Sequence, residues 1–150
     1  MAETIDELIK IKPFSLGFEE KRTRFMRHIS ESIKFHYQNC HDYQNYCKKK
    51  NFHPDNIVDI SNIPFLPMDI FKKMTLLSVP ESEIIKIVKS SATTSNIPST
   101  IHLDKKTANR QIISLNSILR DFIGEEKMNF IIIDNKKTLE ANNQNLSSRG

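Results

Sequence analysis

The sequence predicts an α/β protein with a helical N-terminal segment over residues 1–73, an α/β part over 74–135 and a loop-like tail over 136–150. Three observations carry this expectation. A long stretch repeats apolar residues at helical intervals. Short apolar runs, "IIKIVK", "TIHLD" and "NFIIID", have the length of strands. A second helical pattern separates the last two of them. Strand, loop, strand, helix and strand in this order imply part of a mixed or parallel sheet under helical cover. The 150 residues fit one ordinary domain and leave no room for a second large one.

Each element has a local reason. Thr4 and Glu7 in "TIDELIKI" form a capping box for a short first helix, and Pro13 prevents its continuation. From Phe18 to about Cys47, the residues Phe18, Phe25, Ile29, Ile33, His36, Cys40, Tyr43 and Cys47 recur at spacings of three, four or seven, one face of a single long helix. In "NIPFLPMDIFKK", Pro64 and Pro67 fix the backbone of an ordered strap, and Pro67 is placed to start a helical turn carrying Ile70 and Phe71 inward. "TLLSV", "IIKIVK", "TIHLD" and "NFIIID" are the four strand candidates. The intervening helix runs from about Lys105 to Ile123, with Asp104 as cap, Gly124 as stop and Ala108, Ile112, Leu115, Leu119 and Phe122 as its buried stripe. The tail "NKKTLEANNQNLSSRG" holds too few apolar residues to bury much and reads as loop.

Composition excludes several classes of function. The net charge of +4 is spread along the chain, and the run Lys48, Lys49, Lys50 falls where a helix end favours cations, so no nucleic-acid partner is expected. The apolar runs are far shorter than the ~20 residues of a membrane span, and "MAETIDELIK" lacks the pattern of a secretory leader. A cytoplasmic protein with reduced thiols at Cys40 and Cys47 is expected. His36, Cys40 and Cys47 share a helix face with His41 and His53 nearby, but a buried stripe explains them without zinc, and no metal site is assigned. Asp134 closes an apolar strand, either as a carboxylate at the strand's carboxyl end or as the start of a turn with Asn135. Asp104 and Lys105 read as helix cap and solvent-facing charge.

The stretch "VKSSATTSNIPST" carries the hydroxyls of a phosphate-binding loop without its glycines, and standing alone it reads as a Ser/Thr turn between strands. Its neighbours change that reading. "PFSLGFEEK", "FHYQNCHDYQNYC", "IPFLPMDIFK" and "SSATTSNIPSTIHLDKKT" follow one another as in the LuxE-type acyl-protein synthetase family, the long-chain-fatty-acid-protein ligases, which the sequence resembles over nearly its whole length. The resemblance implies the large domain of the adenylate-forming enzymes, with this chain as an incomplete, N-terminal part. It implies ATP and magnesium as cofactors, a fatty acid as substrate and a fatty-acyl reductase as partner. The fatty acid would be activated as acyl-adenylate and then passed to a protein thiol; neither Cys40 nor Cys47 matches the accepting position. The ATP phosphate loop would map onto Ser90, Ser91, Ala92, Thr93, Thr94 and Ser95.

Glycines in such loops bring backbone N–H groups to the phosphates at positive φ, where a residue with a Cβ is strained by roughly 1 to 2 kcal/mol. Ala92 and Ser95 stand at those positions here. Two functional readings follow. In one the chain is the ATP-facing part of the ligase. In the other it is a truncated, non-enzymatic relative serving at most as an interaction module. On either reading the isolated chain is expected to be inactive in adenylation, and its strands, lacking the rest of a sheet, to favour self-association.

Overall fold

The computed structural model describes residues 3–90, 97–127, 129, 131 and the backbone of 145–147. Helix α1 (Ile5–Leu8) starts with the expected capping box. The Glu7 N–H donates to Thr4 Oγ1 at 3.3 Å and the Thr4 N–H donates to the Glu7 carboxylate at 2.7 Å.

The single helix expected over 18–47 is two, α2 (Phe18–Asn39) and α3 (His41–Lys49). Cys40 between them is extended, with φ −119° and ψ 104°. The Asn39 side chain donates to the Phe35 carbonyl at 2.7 Å, a local bond of the kind that competes with helix continuation. With the break, Cys40, Tyr43 and Cys47 pack with Ile33 as a buried cluster against Ile29, Phe52, Leu66 and Leu76. Phe18, Phe25 and His36, the other members of the expected stripe beside Ile29, are exposed. Helix α3 ends on Asn51 at φ 52°, where the Phe52 N–H donates to the Cys47 carbonyl and the Asn51 N–H to the Lys48 carbonyl, both at 3.0 Å. Asparagine thus does here what glycine does in most such ends.

The Pro-punctuated connector is the ordered strap the sequence predicts. The residues ahead of it run back along α2 and lead into the strap, with Asp55 paired to Lys34 at 2.7 Å and Asp59 to Arg22 at 3.0 Å. The Tyr46 hydroxyl then anchors it to α3 by donating to the Phe65 carbonyl at 2.6 Å. Helix α4 (Ile70–Lys73) follows, with Ile70 and Phe71 half-buried. "TLLSV", expected as a strand, is irregular chain instead.

Strands β1 (Ile84–Lys89) and β2 (Thr100–Asp104) form an antiparallel hairpin, from Ile84 opposite Asp104 at one end to Lys89 opposite Thr100 at the other. The backbone of β3 (Asn145–Ser147) lies parallel to β1 on its other edge, so the sheet is mixed, in order β2-β1-β3. The tail, read as loop from its composition, therefore holds a strand, because pairing with β1 is a non-local contact that composition does not encode. Of "NFIIID", only Asn129 and Ile131 are described. Neither is in a strand, and Ile131 is 90% exposed; Asp134 lies outside the described residues.

Helix α5 (Lys105–Ile123) has the predicted ends. The Thr107 N–H donates to the Asp104 carboxylate at 2.7 Å, and Gly124 stops the helix at φ 82°. Its stripe is not buried as expected: Ala108 is, but Ile112, Leu115, Leu119 and Phe122 are exposed. The helix touches the hairpin at β1 and β2. The N-terminal arm ties down its polar residues instead, Arg110 to Asp6 at 2.7 and 2.9 Å and Asp121 to Lys12 at 3.7 Å. Phe14 meets Phe122 edge-on, with ring centroids 5.8 Å apart.

At the other end of this arm, Glu3 pairs with Arg24 and Arg27 and approaches the buried His28. Desolvation pushes the Glu3 pKa up, but hydrogen bonds from Arg24 and His28 and the two guanidinium charges outweigh it and hold the pKa below the usual range. The Arg110 hydrogen bond lowers that of Asp6. A carboxylate whose folded pKa is depressed contributes stability above its unfolded value and loses it as pH falls through the folded one. Acidification below about pH 4 is therefore expected to release the arm, read as loss of amide-exchange protection in α1 while α2 and α3 stay protected. Release at neutral pH would show that these pairs do not hold it.

Candidate functional site

The β1–β2 hairpin positions both features that bear on function, one at each end. At the loop end, the Ser90 N–H donates to the Ser99 carbonyl at 3.0 Å, and the Ser99 N–H donates to Ser90 Oγ at 2.9 Å. Ser99 is buried. This pair of bonds closes the neck of the segment between the strands. Of the expected phosphate loop, the described residue is Ser90, which serves as a clamp for the neck. A hydroxyl that accepts one bond still has its own hydrogen to donate. Ser91, Ala92, Thr93, Thr94 and Ser95 lie outside the described residues. Both backbone N–H groups of the neck are spent on closing it.

At the opposite end lies a cavity of about 450 Å³ bounded by α2, α3, the strap, β2 and the start of α5. Phe35, Leu66, Phe71, Leu76, Leu77 and Ile84 give it apolar walls, and His36, Ser78, His102 and Asp104 also reach it. A register shift between Ile84 and Lys86 lies beside it, a bulge of the kind that re-aims side chains at the end of a strand. His102 and Asp104, two residues apart, share one face of β2. His36 and Ser78 share a hydrogen bond of 2.7 Å, and desolvation lowers the His36 pKa. Hydrogen bonds to the Thr107 side chain and backbone N–H lower the Asp104 pKa. Sequence reasoning missed this cavity. The apolar density of "IPFLPMDIFKKMTLLSV" was its signal, read as a strap and a strand.

Cys40 and Cys47 are buried free thiols, and burial pushes the Cys47 pKa up, as it does that of Tyr43 beside it. His41 and His53 are exposed, and His53 accepts from the Asp55 N–H at 3.3 Å to cap a turn. Among the described residues, no group of three or more His, Cys, Asp or Glu side chains is arranged to hold a metal ion. Nor is any described helix long and apolar enough to cross a membrane. Both thiols are expected to react with a disulfide reagent roughly 100-fold more slowly in the native chain than after unfolding, since attack needs an accessible thiolate. Equal rates would mean that the α2–α3 cluster opens freely.

Compared with known proteins, the chain matches the family described as acyl-protein synthetase, LuxE, over residues 1–149. It is 32% identical over 90 residues to a long-chain-fatty-acid–luciferin-component ligase of Photorhabdus luminescens, a match covering 59% of this chain and 77% of that protein. Ligases of the same name from Vibrio harveyi and Aliivibrio fischeri are 30% and 33% identical over 113 residues, which is 75% of this chain and 29% of each of those proteins. The match thus spans less than a third of the length of these two relatives. No solved structure matches the chain. On the match over residues 1–149, the chain belongs to the acyl-protein synthetase, LuxE, family.

Proposed function

We propose that the chain acts as the N-terminal, ATP-facing part of a long-chain-fatty-acid-protein ligase. The carrying observation is the closed neck, in which Ser90 and Ser99 hold together the ends of a segment rich in hydroxyls. In this reading Ser90, Ser91, Thr93 and Thr94 donate to the phosphates of ATP, whose magnesium ion would supply charge neutralisation. The hairpin and α5 belong to the large domain of an adenylate-forming enzyme. The whole ligase joins a fatty acid to AMP with release of pyrophosphate, and then passes the acyl group to a thiol for reduction by a fatty-acyl reductase.

The test is a chimera in which residues 1–150 replace the matching part of the Vibrio harveyi ligase. Fatty-acid-dependent exchange of labelled pyrophosphate into ATP is expected from the chimera and not from the isolated chain. The exposed stripe of α5 favours a second reading, a non-catalytic interaction module. A folded chimera without exchange, even after glycines are restored to the loop, would overturn the first reading and leave the second.

A further inference from the structure

We propose that the cavity between α2, the strap and β2 binds the alkyl tail of a long-chain fatty acid and leaves the carboxylate outside. This rests on the reading above for the kind of substrate, and adds its place and orientation. A cavity of about 450 Å³ has the size of a small-molecule site, and its walls are predominantly apolar. Three of its polar groups, His36, Ser78 and Asp104, are committed or ill-suited to an anion. His36 and Ser78 are bonded to each other. The Asp104 carboxylate caps α5 and stays ionised, its pKa lowered by the bonds to Thr107. A carboxylate head beside Asp104 would meet a like charge. His36, whose pKa is lowered by desolvation, brings no positive charge at neutral pH to offset it. A sugar, a nucleotide or a short polar acid would leave its own polar groups without partners against these walls. An unbranched alkyl chain has none to leave.

The hairpin also sets a length. The cavity touches Ile84 and Asp104, whereas the neck joins Ser90 to Ser99 beyond Lys89 and Thr100. Five residues of strand separate the two ends, about 16 Å at ~3.3 Å per residue. A ligand with its tail in the cavity and its carboxylate directed to the loop must be extended over that distance, which a short-chain acid cannot manage. Each methylene buried adds about fourfold to affinity, so the cavity discriminates by chain length.

The probe is cis-parinarate, a long-chain fatty acid that fluoresces when its chain enters an apolar site, titrated into the 150-residue chain. Hexadecanoate and hexadecan-1-ol are expected to displace it within about threefold of one another, and octanoate at least 100-fold more weakly. Leu66→Trp and Leu77→Phe, which fill the cavity from the strap and from the irregular chain after α4, should each weaken binding at least ~10-fold. Ile112→Ser with Leu119→Ser on the exposed face of α5 should leave it unchanged. In the unmodified chain, a fatty acid spin-labelled at its methyl end should broaden the methyl resonances of Leu66, Leu76 and Leu77 and spare those of Ile112 and Leu119. This measurement stands whether or not the filled variants fold. Absence of binding, unaltered binding by folded filled variants, loss of binding in the α5 variant, or failure of the alcohol to displace the probe would each overturn the proposal. Pyrophosphate exchange by the chimera without probe binding would overturn the cavity and leave the ligase reading intact; probe binding without exchange, in the folded chimera with the glycines restored, would do the reverse.

Discussion

In the chimera with the Vibrio harveyi ligase, changing Ala92→Gly together with Ser95→Gly is expected to tighten ATP binding about 30- to 1,000-fold. The reason is backbone conformation. A loop that turns successive N–H groups toward phosphate places residues at positive φ, which glycine enters freely and a residue with a Cβ enters at roughly 1 to 2 kcal/mol. Two such residues cost about 2 to 4 kcal/mol, and that is the origin of the range. Side-chain donors add to the same site. In the glycine-restored loop, Ser91→Ala with Thr94→Ala should undo much of the gain, because each hydrogen bond to an anion contributes roughly 1.5 to 3 kcal/mol. Ser90 belongs in a separate experiment, since its Oγ accepts the Ser99 N–H and Ser90→Ala would open the neck as well as remove a donor. Calorimetric titration of the three chimeras with ATP decides the matter. Equal affinity with and without the glycines would show that Ala92 and Ser95 adopt their native backbone angles without strain, and that the hydroxyls alone set the affinity.

What was legible in the sequence was what is local. The Thr4–Glu7 box, the Asp104 cap and the Gly124 stop each involve residues within a few positions, and all three are present. The strap was legible because proline restricts its own backbone and that of its predecessor, whatever surrounds them. The break at Cys40 was not, because the apolar stripe continues in register through it: Ile33, Cys40, Tyr43 and Cys47 are buried together on both sides of the interruption. Periodicity names the apolar face of a helix and is silent on what covers it. That silence explains α5, whose ends are as predicted while Ile112, at 57% exposure, and its stripe neighbours stand open.

Contacts across the chain were illegible for the same reason. The parallel pairing of β3 with β1, the Ser90–Ser99 neck and the His36–Ser78 bond join segments that nothing in their own residues links. The candidate site divides accordingly. Its loop was expected from ordered blocks of residues, and all of it but Ser90 lies outside the described residues; the cavity at the other end of the hairpin came into view only when "TLLSV" proved to be irregular chain lining a wall.

The contrast between the two apolar stripes leads to the second large effect. Ile33→Ala is expected to destabilise the fold by about 2 to 5 kcal/mol, while Ile112→Ala should change stability by less than about 0.5 kcal/mol. Both residues are isoleucines in helices and both lie on the apolar face that their spacing marks. Ile33 is 5% exposed, within the cluster that joins α2, α3 and the strap. Truncating it removes buried methylenes and leaves a void, because Cys40, Tyr43 and Cys47 are anchored on their own backbones and collapse into it only in part. Ile112 has most of its surface in water already, so its truncation forfeits little burial, and the better helix propensity of alanine offsets part of that. For a chain of this size, the loss at Ile33 corresponds to a fall in melting temperature of roughly 6 to 15 °C. Urea denaturation of both variants at several protein concentrations provides the measurement. If Ile112→Ala proves as costly as Ile33→Ala, and the cost shrinks on dilution, the α5 stripe is covered in solution by a second copy, and its exposure belongs to the monomer alone. A cost at Ile112 that ignores concentration would place a segment of the same chain over α5.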